Sequence, residues 1–227
     1  MPSADADCTK PQHEGPGRRP GRRAEAWLLA RGRSIPDLLS HAPPWVRNVF
    51  DSSWAVTKAM AWQARCLPPA VWSYLLGLDG GYLAFCTGDS YYTPGPVTLR
   101  NDILRNVAFV AVEDLAHDNE RSMHVLGHLI DHALGCGGED AGLWLSEGGG
   151  VSSHWKQAGQ RLAQLYTLGY GVDEIAQSDM RDYFAQSLAL FCRDRERLNV
   201  ADPRVDRWLR STLWSASFWR PVASGKA

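Results

Sequence analysis

Met123-His124-Val125-Leu126-Gly127-His128-Leu129-Ile130-Asp131-His132-Ala133-Leu134-Gly135 is the stretch that decides the reading of this chain. On a helix over 119–135, at about 100° per residue, Met123, Leu126, Ile130, Ala133 and Leu134 fall on one arc. His124, His128, Asp131 and His132 fall on the opposite arc. The first arc packs on a core. The second carries metal-ligand chemistry, because histidines at i and i+4 project their rings from adjacent turns on one side of a helix. The same pair also suits a solvated face, and a chain with seven histidines reaches it easily by chance. Gly127 permits a neighbouring element to come close, and Asp131, one turn beyond His128, is placed to orient ligands or brace the helix.

Upstream of this helix, residues 107–112 form a continuous apolar run, a strand buried on both faces. Before it, 82–86, 91–93 and 96–99 are β-prone runs separated by Gly88-Asp89 and Pro94-Gly95, which read as a small meander or hairpin. The first third is helical. Ser34-Ile35-Pro36-Asp37 resembles a helix start, Pro43-Pro44 interrupts, Asp51-Ser52-Ser53 caps a helix to about residue 66, and Pro68-Pro69 opens another. Downstream, helices are expected near 151–168, 180–197 and 203–216, after a Gly-rich segment read as a flexible loop over the cleft. The class is α+β, mainly helical, with a small sheet packed on the histidine helix. Residues 1–24, rich in Pro, Gly and charge, read as a disordered leader, and 25–227 as a single domain.

Hydrophobic residues at 44% and charged residues at 22% exclude wholesale disorder and a membrane span. A net charge of -1 gives no basic face for nucleic acid, and Arg18, Arg19, Arg22 and Arg23 read as a solvated tail. Most of the ten tryptophans lie among apolar residues and read as core. The five cysteines (Cys8, Cys66, Cys86, Cys136, Cys192) contain no C-x-x-C pair, which argues for reduced thiols in a cytoplasmic protein rather than a disulfide framework. The N-terminus lacks the apolar segment of a signal peptide, and non-conventional export stays open.

Residues 123–135 resemble the H-E-x-G-H-x-x-D helix of zincin metallopeptidases, and are most similar to the version in anthrax toxin lethal factor-like catalytic domains. That family carries a second helical motif, E-[YF]-F-A-E-A-[FW], and this chain has Asp182-Tyr183-Phe184-Ala185-Gln186-Ser187-Leu188. The resemblance is firmest over 107–193. It implies a zincin-like fold, zinc on His124, His128 and Asp182, a supporting role for Gln186 and Asp131, and a peptide or protein segment in the cleft. Asp182 is shorter than the family's glutamate, and Ala185 and Ala189 beside it would let the two helices close the difference. Glu147 is an alternative third ligand. Tyr170, more than Tyr166, corresponds to the family's oxyanion-stabilising tyrosine.

The departure that matters is Val125, at the position of the catalytic glutamate. A metal lowers the pKa of its water, but a base must take the proton and pass it to the leaving amine. Valine does neither. His132, Asp131, Glu139, Asp140 and Glu147 are the nearby groups for a relocated base. The expectation is therefore a pseudopeptidase that binds without cutting. The alternatives are a hydrolase with a relocated base, or a two-histidine, one-carboxylate iron site of the non-haem oxygenase type, which needs no glutamate.

Overall fold

The computed structural model describes residues 22–139 and 142–223. The expected leader lies outside the described residues except for 22–24, which are helical. They open α1 (Arg22–Arg31), where Ala24 and Trp27 are buried against the core. Asp140, one of the groups considered as a base, also lies outside the described residues.

The chain is α+β. Where a helix start was expected at Ser34, a short strand appears instead, β1 (Gly32–Ser34), and α2 (Leu38–His41) begins only after Asp37 takes a left-handed conformation. α3 (Pro44–Val49) and α4 (Ser53–Gln63) follow, the latter capped by the Ser52 hydroxyl, which accepts from Ala55 N. A 3-10 turn over Ala64–Cys66 leads to α5 (Pro69–Leu76), whose proline sits at the first turn where no amide hydrogen is needed.

β2 (Tyr82–Cys86), β3 (Tyr91–Thr93), β4 (Val97–Leu99), β5 (Asp102–Leu104) and β6 (Val107–Ala111) come next. They do not form the expected meander. β6 inserts between β2, to which it is parallel, and β3, to which it is antiparallel, while β1 extends the sheet on the far side of β2. The reason is burial: all five β6 residues are buried, and a central position satisfies such a strand. β4 and β5 make a separate hairpin.

α6 (Val112–Ala116) leads into α7 (Arg121–Cys136), the histidine helix, which packs on β6 and β3. α8 (Ser153–Tyr166) and α9 (Glu174–Ser178) precede α10 (Met180–Arg193), the most extensive neighbour of α7. The helix expected over 180–197 is cut at Asp194, where α11 (Arg195–Ala201) restarts, and the one expected over 203–216 begins as α12 (Pro203–Ser211) and stops at Ser211. The side chains of Asp194 and Asp202 accept first-turn amides of α11 and α12. α13 (Ala216–Ala223) closes the described chain.

Three further expectations change. Among the tryptophans taken as core, Trp45, Trp54 and Trp62 are exposed. The Gly-rich segment is packed rather than loose: a Cβ on Gly149 would meet Leu143 O at 2.0 Å, and one on Gly150 would meet Lys156 N at 2.1 Å. Cys66 and Cys192 form a disulfide with Cα atoms 5.5 Å apart, 126 positions separated in sequence. The cytoplasmic reading drew on unpaired thiols as well as on the lack of a signal-peptide segment, and this pairing removes the first of those supports. Spacing rules see only local pairs, whereas here the end of α4 meets the end of α10. Cys86 and Cys136 are free thiols. No helix among the described residues is long and apolar enough to cross a membrane.

Candidate metal centre

α7 and α10 cross at their smallest residues. A Cβ on Gly127 would lie 2.8 Å from Ala185 Cα, so the backbones touch where any larger residue would hold them apart. That contact brings together the two motifs read from the sequence. It also makes α7 buried nearly all round: Asp131 and His132, expected on a polar face, are out of contact with water.

His124, His128 and Asp182 converge. His124 Nε2 lies 3.1 Å from Asp182 Oδ1, His128 Nε2 lies 3.2 Å from the same oxygen, and the two ring nitrogens are 3.0 Å apart. Ligand atoms held tetrahedrally at about 2.0–2.1 Å from zinc stand about 3.3 Å from one another. The triangle has nearly that size. Among the described residues it is the one group of three or more such donors able to share an ion.

The protonation of His124 follows from Gln186. The Gln186 amide nitrogen donates to Glu120 Oε2 at 3.0 Å and to Asp173 Oδ2 at 2.9 Å. Ionised carboxylates only accept, so the amide has one orientation and its oxygen faces His124 Nδ1, 3.1 Å away. Nδ1 therefore carries the hydrogen. In the neutral ring this leaves Nε2 a bare lone pair, directed at a carboxylate oxygen and at a second imidazole nitrogen. Such an arrangement is repulsive unless a cation or proton lies between the three atoms. Donors of this kind, two imidazoles and one carboxylate, suit zinc and also ferrous iron.

Asp182 is aimed by its own neighbourhood. Its amide is capped by Asp179 at 2.8 Å, and Ser178 Oγ donates to Oδ2 at 2.6 Å, leaving Oδ1 for the histidines. With a proton in the place of the ion, hydrogen bonds donated by His124 and His128 hold its carboxyl far below the usual range. Burial pushes His128 towards the neutral form, the form that binds metal. His128 Nδ1, by contrast, is buried without a partner, so this ring lacks the outer hydrogen bond that steadies His124.

Comparison with protein-family models, curated proteins and solved structures finds no match to this chain. The site therefore rests on its own geometry.

Val125 is buried in the main core, 2% exposed, so no base occupies that position. His132 donates from Nε2 to Glu139 O at 3.1 Å and, in its neutral form, accepts from the Tyr92 hydroxyl at 2.7 Å. With both nitrogens engaged away from the triad, it is not positioned as a base. Asp131 accepts from Ser146 N at 2.8 Å and pairs with its hydroxyl at 2.6 Å, bracing the Gly-rich segment against α7 rather than orienting a ligand. Burial pushes its carboxyl up to about 8. Glu147 pairs with Arg181 at 2.8 Å and accepts from Trp144 N, which spends it as a ligand. Tyr166 donates to Gln177 O, and Tyr170 is exposed under the Arg204 guanidinium; neither has a described contact with the triad.

The sequence reading missed several partners. Tyr92, on β3, stands beside His128 with ring centroids 6.3 Å apart. Glu120, Asp173, Ser178 and Arg197 complete the surround, Arg197 reaching Glu120 at 3.3 Å and Asp173 at 3.8 Å. Only Asp179, an aspartate just ahead of an amphipathic run, carried a readable signal, as a helix cap.

Proposed function

We propose that the chain is a zinc-binding, zincin-like pseudopeptidase that holds a peptide or protein segment beside the metal and does not cut it. The observation that carries this reading is the convergence of three acceptor atoms on one point, with the His124 tautomer fixed by Gln186. Val125, buried in the core, supports the absence of proteolysis, since it offers neither a proton acceptor nor room for one.

Support for a peptide ligand comes from β3. It is an edge strand of the sheet, paired with β6 on one side, and its Tyr92 ring lies against His128. An edge strand presents unpaired backbone groups to which an extended chain can add. A peptide there would run past the metal. A cavity of about 430 Å³ opens beside His124, lined from the α6–α7 turn, α7, α9 and α10 rather than from β3.

The two histidines and Asp182 would hold the ion, which when bound supplies Lewis-acid polarisation of a nearby carbonyl. Gln186 holds the proton at His124 Nδ1, and Ser178 keeps Asp182 turned inward. Metal analysis of protein purified without added metal, paired with a peptide-library cleavage assay, tests the reading. One zinc per chain without cleavage supports it. Iron in place of zinc would favour the oxygenase alternative, and absence of metal after reconstitution would remove every metal reading.

A further inference from the structure

Two cavities adjoin, the first of them beside the metal centre. The one that reaches His124 and a second of about 390 Å³ that reaches Trp62 share Asp118 and Arg193 as a common wall. Arg193 donates to the Asp118 carboxylate at 2.8 Å and to its carbonyl oxygen, which makes the pair a fixed saddle between the two. The Cys66–Cys192 disulfide lines the second cavity.

The charges along this groove are unequal in what they have left to offer. Asp118 is held by Arg193 and by Gln63 at 2.9 Å, and the Arg193 hydrogen bond keeps its carboxyl below the usual range. Glu120 is taken up by Gln186 and Arg197. Asp118 is thus neutralised from within, while Glu120 shares the charge of Arg197 with Asp173. Arg121 is exposed and its guanidinium has no partner among the described residues. Arg65 is likewise exposed, 3.3 Å over the Trp62 ring, and gives one hydrogen bond to Trp62 O at 2.9 Å. The ends of the groove are cationic.

Trp62 is 65% exposed. An indole left mostly in water, beside a cavity and under a guanidinium, is the composition of a binding anchor. The same face of α4 continues one turn and two turns back with Lys58 over Trp54, at 5.4 Å.

We propose that the groove from His124 to Trp62 binds an acidic peptide segment. Its carboxylates lie against Arg121 and Arg65, and an apolar or aromatic side chain rests on Trp62. This extends the peptide cleft proposed above and rests on that reading for where the chain continues, but it requires no bound metal.

The test uses the full chain, zinc-loaded and chelator-stripped. Three fluorescein-labelled peptides of one length carry Glu-Phe-Glu, Gln-Phe-Gln or Lys-Phe-Lys in a Gly-Ser background, and anisotropy reads the binding. The Glu peptide should bind about tenfold tighter than the Gln peptide, and the Lys peptide weakest. Arg65→Glu and Arg121→Glu should each weaken the Glu peptide about fivefold, and Trp62→Ala should weaken it similarly. All three residues are exposed, so circular dichroism should show an unchanged fold. Equal binding of the Gln peptide, or a double charge-reversal variant with unaltered affinity, would overturn the proposal. Binding to phosphatidylserine vesicles in preference to the Glu peptide would also overturn it, giving the surface to a membrane. An acidic preference that survives chelation supports the groove even where the metal reading fails. Stoichiometric zinc without that preference removes the groove alone.

Discussion

Gln186 accepts a hydrogen bond from His124 Nδ1 at 3.1 Å while its amide nitrogen is committed to two carboxylates. An amide on α10 thus sets the tautomer of an imidazole on α7. Replacing Gln186 with Leu removes the lock and leaves Glu120 and Asp173 to share Arg197 without the amide between them. Zinc affinity should fall about tenfold to a hundredfold, read by competition with a chromophoric chelator. Gln186→Glu should be worse for stability, because it adds a third carboxylate to that pair. Unchanged zinc affinity in the Leu variant would show that His124 needs no such partner.

Val125→Glu is the change that would restore the family's base. In this fold it places a carboxylate inside the core, which should cost about 3 kcal/mol of stability and confer no peptidase activity. Thermal unfolding and a fluorogenic peptide assay check both halves. A variant of unchanged Tm that cleaves peptide would mean that the position opens onto the cleft and that proteolysis was lost through this residue alone.

Gly127→Ala drives a methyl group into the Ala185 backbone. Separation of α7 from α10 should cost about 1–3 kcal/mol and pull Asp182 away from the histidines. Zinc affinity should drop with stability, whereas Gly88→Ala, at a turn where a Cβ meets nothing within 4 Å, should leave zinc affinity alone.

Asp131 gives a pH signature. Its folded-state pKa, pushed by burial up to about 8, lies above the unfolded value of about 3.9. The folded protein therefore holds this proton more tightly than the unfolded chain does. That stabilisation is complete below about pH 4, declines as pH rises, and is lost above about pH 8. Asp131→Asn keeps an acceptor for Ser146 N and a donor for its hydroxyl, so it should flatten the decline between pH 4 and 8. Urea midpoints for both proteins across that window decide the point.

Reduction of Cys66–Cys192 should lower stability by about 2–4 kcal/mol, since the bridge closes a long stretch of chain in the unfolded state. Cys192 lies ten residues beyond Asp182 on α10, so zinc binding should survive reduction at low temperature. Denaturant titration with and without reductant, followed by zinc competition, separates the two effects.

What the sequence determined by itself was periodic or local. The helix through His124 and His128, the buried strand before it and the Asp182 helix all follow from apolar spacing, which neighbours along the chain impose. The missing glutamate at Val125 was equally legible, because a side chain's chemistry needs no fold to be known. The tertiary structure decided everything that depends on residues far apart in the chain. Gly127 against Ala185 brought the third acceptor to the two histidines. The carboxylates of Glu120 and Asp173 turned the Gln186 amide, which fixed the proton on His124. Asp131 and His132, placed by periodicity on the polar face with the ligands, were drawn to the Gly-rich segment and to Tyr92, because α7 is covered on nearly every side. Cys66 and Cys192 paired because two helix ends meet. Pattern along a chain reports which face of a helix is apolar, and only packing reports what each polar group finds there.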